Sequence, residues 1–275
     1  NLLPLTALAE PVHLRLAGSN TMGATLLPAL VVGQLQAQQA TAVHTQPGQT
    51  ANETVITAVD ASGSPIRVDI AAHGSSTGFV ALGRGDADLA AASRPITERE
   101  QRALHALGNL READTEQVIA LDGIAVITHP DNPLAQLTTD QLAQVFCGQV
   151  HHWEQLGVPG GAIHLYARDN RSGTYASFKA MVLAPRQCQL AHNAQRFEAS
   201  EPLAAAVAND RQAIGFSSLA AVHRAKVLPV AAGATPALLP TSPPAASEDH
   251  PPSRRSLPYP PAHPQPPALA LADVP

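Results

Sequence analysis

Apolar and polar residues alternate in three short stretches of the chain, at 12–17, 66–72 and 163–167. Because successive side chains on a strand point to opposite faces of a sheet, these stretches predict half-buried β-strands. Each is followed by residues with the three- to four-residue apolar spacing of a helix, most clearly at 24–39. Strands that alternate with helices favour an α/β fold with two mostly parallel sheets flanked by helices.

Cap residues and shorter patterns predict the remaining elements. Thr97 begins a helix with Glu100 at the capping-box position, and Thr138 caps a helix over 139–146. The polar segment 47–64 is expected to hold a short helix near Glu53–Val59. Short strands are predicted at 43–45, 89–92, 117–121, 123–128, 213–216 and 227–230.

The turns that follow the three alternating stretches are all rich in hydroxyl side chains. They read GSNTMG at 18–23, HGSSTG at 73–78 and RDNRSGT at 168–174. The first turn of a helix has unbonded backbone N–H groups and a partial positive charge, to which hydroxyl side chains add further donors. Arg168 adds a charged fork of donors. Since ligands of α/β sheets lie beyond the carboxyl ends of strands, we predict that the three turns converge on one small oxyanion.

Composition excludes several other classes of partner. The chain has 275 residues, of which 45% are hydrophobic, so it can bury a sizeable core. Its net charge of -5 and the lack of a basic stripe argue against nucleic acid as a partner. No apolar run is long enough to span a membrane. No basic segment precedes Asn1, so a signal peptide is expected to have been removed if the chain is exported.

The cysteines and histidines indicate whether the chain holds a disulfide, a metal or a cofactor. The two cysteines, Cys147 and Cys188, are compatible with one disulfide in an oxidising compartment or with two buried thiols. The 12 histidines form no HExxH or other tight ligand spacing, so neither a metal nor a cofactor is expected. After residue 235 the composition changes, since 13 of the 25 prolines lie at 236–275. An extended Pro-rich C-terminal tail is therefore predicted at 241–275.

Four motifs within residues 12–232 together match a known family. The first turn resembles an opening Gly-Ser-x-Thr phosphate loop, and the third matches an Arg-x-x-x-Ser-Gly-Thr loop in spacing and identity. Residues 121–157 resemble an Asp-Gly…Asn-Pro…Leu-Thr…Phe-x-Gly-x-x-x-x-Trp signature, and 213–220 resemble a Gly-Ala-Ile-Gly-Tyr segment. On these motifs the chain resembles the PstS-like periplasmic phosphate-binding proteins, which are solute receptors of ABC importers.

The resemblance implies a two-lobed periplasmic-binding-protein fold, with phosphate enclosed between lobes that two crossing strands join. Lobe 1 would comprise 1–92 plus 215–240, and lobe 2 would comprise 93–214, with crossings near 91–92 and 213–214. Residues 248–255 resemble a late segment of the family, but prolines stand where apolar strand residues are expected, so ordinary strand pairing is not predicted there.

The resemblance also implies a set of phosphate ligands and shows one departure. The implied ligands are Ser19, Asn20, Thr21, Ser75, Ser76, Thr77, Ser93, Arg94, Arg168, Ser172, Gly173 and Thr174. Importer receptors carry Ser-Asp at the first crossing, where the carboxylate accepts the proton of hydrogen phosphate and so excludes sulfate. This chain has Ser93-Arg94, as another branch of the family does, and Asp122, Asp169 or a backbone carbonyl are the alternative acceptors. The ligand is thus a tetrahedral oxyanion, with phosphate, sulfate and arsenate as candidates.

Three functions fit these observations. The first is a monomeric phosphate receptor in the periplasm or outside the cell, with an ABC permease or an OmpA-like cell-envelope protein as its partner. The second is a phosphate-sensing or cell-surface module without an importer. The third is a serine hydrolase, because 74–78 fit the GxSxG pattern of a nucleophile elbow and offer Ser76 as the nucleophile. The receptor, which is not an enzyme, is preferred because a hydrolase leaves the other two hydroxyl turns unexplained.

Overall fold

The computed structural model describes residues 11–112, 115–117, 119–231 and 253–259, and the following bounds refer to that part of the chain. The strands are β1 (Val12–Gly18), β2 (Thr41–Pro47), β3 (Glu53–Val59), β4 (Pro65–Ala71), β5 (Leu89–Ala92), β6 (Ala120–Thr128), β7 (Leu137–Thr138), β8 (His164–Arg168), β9 (Gln195–Phe197), β10 (Ala213–Ser218), β11 (Lys226–Leu228), β12 (Val230–Ala231) and β13 (Ser253–Tyr259). The α-helices are α1 (Leu27–Ala37), α2 (Ser75–Arg84), α3 (Glu98–Ala103), α4 (Thr139–Phe146), α5 (Gly173–Phe178) and α6 (Ser200–Asn209). A π-helical turn at Met22–Leu26 leads into α1, and another at Lys179–Leu183 continues α5.

The first lobe is built on a sheet of five strands in the order β2-β3-β4-β1-β5. One face packs against α1, whose Leu27, Val31 and Leu35 meet buried side chains of β1, β3 and β4. The other face is covered by α2, where Phe79 and Leu82 pack on β5. Helix α1 and helix α2 therefore lie on opposite faces, and both begin at the edge of the sheet where β1 and β4 end.

The second lobe is built on strands β11, β6, β10, β8 and β9. Its larger core includes Trp153 and a cluster of Phe146, Phe178 and Phe216, in which the last two rings stack with centroids 3.9 Å apart. Helix α6 covers the opposite face through Leu203 and Val207. Cys147 and Cys188 form a disulfide in this lobe, with Cα atoms 6.0 Å apart.

The sheets are mixed, which corrects the expectation that they are mostly parallel. The pairs β1–β4, β1–β5, β10–β8 and β8–β9 are parallel, whereas β2–β3, β3–β4, β10–β6 and β11–β6 are antiparallel. Short connections between consecutive strands account for β2–β3 and β3–β4, whereas β10 and β11 return to β6 from far along the chain. The fold is nevertheless the predicted α/β architecture with two sheets flanked by helices.

Strand β13 links the two sheets. Its first half pairs with β6 from Ser253 to Ser256, and its second half pairs with β5 from Leu257 to Tyr259. Its first three residues, 253–255, belong to the segment 248–255, for which ordinary strand pairing was not expected, and they pair with β6. A proline removes only its own N–H donor from a ladder, so Pro258 can occupy a strand whose neighbours supply the remaining hydrogen bonds. The rest of the expected tail lies outside the described residues.

Two other expectations differ from the structure. Glu53–Val59 is a strand rather than a short helix, because five of its seven residues are β-branched and favour extended backbone, and the adjacent Val55 and Ile56 are both buried. The packing also differs from the expected division into lobes. Ile96, Leu104 and Leu110 pack on α2 of the first lobe, and β10 pairs with β6 and β8 of the second. The capping box at Thr97 and the Thr138 cap are present as predicted, and Gln141 completes a second capping box with Thr138.

Candidate functional site

The turn after β1 is held tightly against β5. The backbone of Gly18 has φ +134°, and a Cβ there would lie 2.1 Å from the carbonyl oxygen of Ala91. The next residue, Ser19, donates its N–H to that same oxygen at 2.8 Å. The Ser19 hydroxyl accepts the N–H of Met22 at 3.4 Å and is buried. The first hydroxyl turn is therefore fixed at the end of the sheet, as the sequence pattern predicted.

The second turn is fixed against the first. Gly74, with φ +118°, donates its N–H to the carbonyl oxygen of Gly18 at 2.7 Å. The Ser75 hydroxyl at the start of α2 accepts the N–H of Ser93 at 3.1 Å and lies 3.3 Å from the Ser93 hydroxyl. Thr77 donates its hydroxyl to the carbonyl of Gly74 at 2.7 Å, which closes the turn. Ser75 and Ser93, distant in sequence, are thus one buried hydroxyl pair.

The third turn is organised by Asp169. Its carboxylate accepts the N–H groups of Arg171 at 3.0 Å and of Ser172 at 3.1 Å, and it binds the Arg171 guanidinium at 2.8 Å. The Ser172 hydroxyl then accepts the N–H of Tyr175 at 3.2 Å as the N-cap of α5. Both oxygens of Asp169 are therefore already engaged in shaping the loop.

The three turns meet across the cleft between the lobes. The hydroxyl oxygens of Thr21 and Thr174 lie 3.4 Å apart. A Cβ added to Gly173 would lie 2.3 Å from the Ser75 hydroxyl oxygen and 2.4 Å from that of Ser93. The N–H of Ser76 donates to the carbonyl oxygen of Arg171 at 3.2 Å. Hydroxyl groups from both lobes are thus gathered at the starts of three helical segments, a geometry suited to a small anion.

Arg168 lies behind this cluster as a buried cation. Its guanidinium donates to the Ser200 hydroxyl and to the carbonyl oxygens of Phe197 and Glu198. Ser200 in turn donates its N–H to the side-chain oxygen of Asn20 at 3.1 Å, across the cleft. Arg168 is therefore linked through Ser200 to Asn20 in the first hydroxyl turn. Ser200 was missed from the sequence, because it belongs to none of the three turns.

The Arg94 guanidinium is bound by a carboxylate and a hydroxyl group of the first lobe. Its guanidinium binds the Glu100 carboxylate through two hydrogen bonds of 2.6 and 2.8 Å and donates to the Ser76 hydroxyl at 3.3 Å. Burial raises the pKa of Glu100, but the hydrogen bond and charge of Arg94 outweigh it and lower the pKa overall. The positive charge of Arg94 is thereby balanced by a carboxylate of its own lobe.

The hydrolase alternative is not supported at Ser76. In the described ranges its hydrogen bonds are made with Arg94 and with the carbonyl of Arg171, and none involves a histidine. His73, three residues earlier, binds Glu53 and Glu198 instead. A nucleophile elbow needs an adjacent general base, which the hydrogen bonds of Ser76 do not provide.

Three further features concern the remaining candidate groups and sites. Asp122, one of the alternative acceptors, accepts the Ser218 hydroxyl at 3.1 Å beside the β6–β13 pairing. Across the described part of the chain, His, Cys, Asp and Glu side chains form no group of three that could hold a metal ion. Within the same ranges, no helix has both the length and the apolar character needed to cross a bilayer.

Comparison with known families gives one match over most of the chain. Residues 32–250 match the family described as PBP superfamily domain. A phosphate-binding protein PstS from Pseudomonas aeruginosa is 31% identical over 56% of this chain and 50% of its own length. The PstS of Borreliella burgdorferi is 31% identical over 42% of this chain and 39% of its own length. The chain thus aligns with half or less of these curated relatives.

A comparison of structures gives a more extensive match. A protein from Clostridium perfringens, described as a phosphate ABC transporter substrate-binding protein and solved with bound phosphate, superposes with a TM-score of 0.73. The match covers 95% of this chain and 91% of that protein at 22% sequence identity. At that identity the superposition shows a shared fold.

Proposed function

The chain belongs to the PBP superfamily, and from this premise we propose that it binds inorganic phosphate in the cleft between its two lobes. The observation that carries the proposal is the meeting of three hydroxyl turns from both lobes, with Thr21 and Thr174 in contact and Gly173 against Ser75 and Ser93. The proposed ligands are those implied by the sequence. Among them, Arg168 supplies a buried positive charge, and the positive charge of Arg94 is balanced by the Glu100 carboxylate.

The energetics of such a site are favourable for a small anion. Fixed hydroxyl and backbone donors replace water around phosphate without having to reorganise when it arrives. Each charge-assisted hydrogen bond contributes about 1.5–3 kcal/mol. Micromolar affinity needs only about 8 kcal/mol net, so a handful of such bonds exceeds the cost of closing the lobes and desolvating the ion.

The receptor role extends this proposal to the whole protein. Relatives from two bacteria are phosphate-binding proteins, and a structural neighbour is described as an ABC transporter substrate-binding protein. We infer that this chain delivers phosphate to a permease and performs no chemistry on it. The Cys147–Cys188 disulfide favours an oxidising compartment outside the cytoplasm.

Calorimetry with phosphate, sulfate and arsenate on one protein batch tests the proposal. Phosphate is expected to bind with micromolar or tighter affinity, and arsenate, which has the same charge and shape, is expected to follow it. Phosphate binding no tighter than that of chloride would refute the assignment. Transport of labelled phosphate by a reconstituted permease, with and without this protein, separates an importer receptor from a sensing module.

A further inference from the structure

His73 forms a bridge between the lobes at the rim of the cleft. It lies in the turn between β4 and α2 of the first lobe, immediately before Gly74. Its Nδ1 is 2.6 Å from a carboxylate oxygen of Glu198, which follows β9 in the second lobe. Its Nε2 is 3.2 Å from a carboxylate oxygen of Glu53, on β3 of the first lobe. One imidazole ring therefore spans two acidic groups, of which one moves away when the lobes separate.

The protonation state of the ring follows from this geometry. A neutral imidazole has one N–H donor and one acceptor nitrogen, whereas an ionised carboxylate can only accept. Both contacts of His73 can be hydrogen bonds only when both ring nitrogens carry a proton. The closed arrangement therefore fits an imidazolium between two carboxylates, and loss of the proton turns one contact into a repulsion between lone pairs.

Other charged and polar groups contact the two carboxylates beside the ring. Arg171 of the β8–α5 turn lies 3.3 Å from Glu198 and 2.8 Å from Asp169. Glu53 also accepts the N–H groups of Gln49 and Thr50. Arg171 reduces the negative charge on Glu198 without replacing the bridge, because it belongs to the same lobe as Glu198.

The balance of these effects raises the pKa of His73. Burial lowers it, but hydrogen bonds to Glu198 and Glu53 and the charges of both carboxylates outweigh burial. The hydrogen bond from His73 is also the largest influence that lowers the pKa of Glu198. In the open state the contact with Glu198 is lost, so the closed state holds the proton more tightly than the open state does.

We propose that His73 is a protonation-dependent latch that stabilises the closed lobes and couples ligand capture to proton uptake. As far as the ligand is concerned, the proposal rests on the proposed function. The stabilisation is fully present at pH values below the ordinary pKa of histidine, 6.5, and is lost as pH rises through the raised pKa of the closed state. Ligand is therefore held more firmly in acid surroundings and released more readily in alkaline ones.

Comparison of wild type with His73→Gln isolates this effect from the ionisation of phosphate itself, which is common to both proteins. The dissociation constant of each is measured by calorimetry at about pH 6 and about pH 8.5, on either side of the histidine pKa. The ratio of variant to wild type is expected to be about threefold to tenfold larger at the lower pH. Wild type should also take up more protons on binding, measured in buffers of different ionisation enthalpy. An equal ratio at both pH values overturns the latch.

Two further variants keep the experiment decisive. Glu198→Gln removes the carboxylate that His73 contacts across the cleft. It is expected to change the pH dependence of the dissociation constant as His73→Gln does, so it tests the latch if His73→Gln does not fold. His164→Gln is the matched control. Its histidine also binds a carboxylate, that of Asp210 at 2.7 Å, but both residues belong to the second lobe. Its ratio to wild type should not change with pH.

A ligand-free measurement separates failure of the latch from failure of the proposed function. If wild type does not bind phosphate at all, small-angle X-ray scattering of the free protein still reports lobe closure. The radius of gyration of wild type should be smaller at about pH 6 than at about pH 8.5, and that of His73→Gln should not change. Equal radii for wild type at both pH values would then reject the latch, whatever the true ligand is.

Discussion

The hydroxyl oxygens of Thr21 and Thr174 lie 3.4 Å apart, although the two residues are 153 positions apart in the chain. Thr21 belongs to the turn after β1 in the first lobe, and Thr174 belongs to the first turn of α5 in the second. A hydroxyl pair in this position can donate to one anion from both sides of the cleft. The contact exists only when the lobes are closed, because separation of the lobes breaks it.

Replacing Thr21 with valine should weaken phosphate binding about threefold to tenfold, since one neutral hydrogen bond contributes about 1 kcal/mol. Valine keeps the shape of threonine and removes the donor. Thr41→Val on β2 is the control, because that residue is exposed and lies at the outer edge of the first sheet. Calorimetry on both variants makes the comparison, and equal losses would mean that Thr21 has no special role.

Replacing Arg168 with alanine should weaken phosphate binding more than tenfold, since charge-assisted hydrogen bonds contribute about 1.5–3 kcal/mol. Arg168→Lys should recover only part of the affinity, because lysine keeps the charge but not the planar fork that reaches Ser200 and Glu198. Arg211→Ala serves as the control, because the Arg211 side chain is 76% exposed. Affinity for phosphate that is the same in Arg168→Ala and wild type would remove the buried arginine from the site.

The sequence predicts the three turns well and their partners poorly. Each turn is a local feature, a strand end followed by hydroxyl residues and a helix start, and can be recognised within about ten residues. Glu198 and Ser200 reach the cleft only because β9 runs parallel to β8, which no local pattern specifies. Strand β3 lies in a polar segment and its β-branched residues are consecutive, so the alternation that identifies the other strands is absent there.

Replacing Glu100 with glutamine should destabilise the folded protein by about 1–3 kcal/mol at neutral pH, because it leaves the buried Arg94 guanidinium without its carboxylate. The folded pKa of Glu100 is lowered, so its contribution is present above the ordinary value of 4.5 and is lost as pH falls through the folded value. The difference between variant and wild type in urea denaturation should therefore shrink in acid.

Glu98→Gln is the matched control for Glu100. Glu98 also pairs with an arginine of α3, at 3.6 Å, but its side chain is 77% exposed whereas that of Glu100 is 19% exposed. Exposed pairs contribute little, so Glu98→Gln should change the free energy of unfolding by less than about 0.5 kcal/mol. Equal effects of the two substitutions would show that burial of the Arg94–Glu100 pair does not matter.

Reduction of the disulfide should destabilise the second lobe. The bridge joins residues 41 positions apart, for which loop-closure entropy predicts a stabilisation of about 4 kcal/mol. Urea denaturation with and without dithiothreitol measures the difference. The double variant Cys147→Ala/Cys188→Ala should be as unstable as the reduced protein and insensitive to dithiothreitol. Wild type that is equally stable in both conditions would contradict a structural role for the bridge.

Replacing Gly173 with alanine should block closure without unfolding either lobe. The added methyl group would lie 2.3 Å from the hydroxyl oxygen of Ser75 and 2.4 Å from that of Ser93, which face it across the cleft. The lobes must then stay apart, so phosphate affinity should fall more than tenfold while the melting temperature of the ligand-free protein changes little. Gly33→Ala is the control, because a methyl group on that residue of α1 meets no atom within 4 Å. Wild-type affinity in Gly173→Ala would mean that the protein captures its ligand without bringing these hydroxyl groups together, and the two-sided site would have to be abandoned.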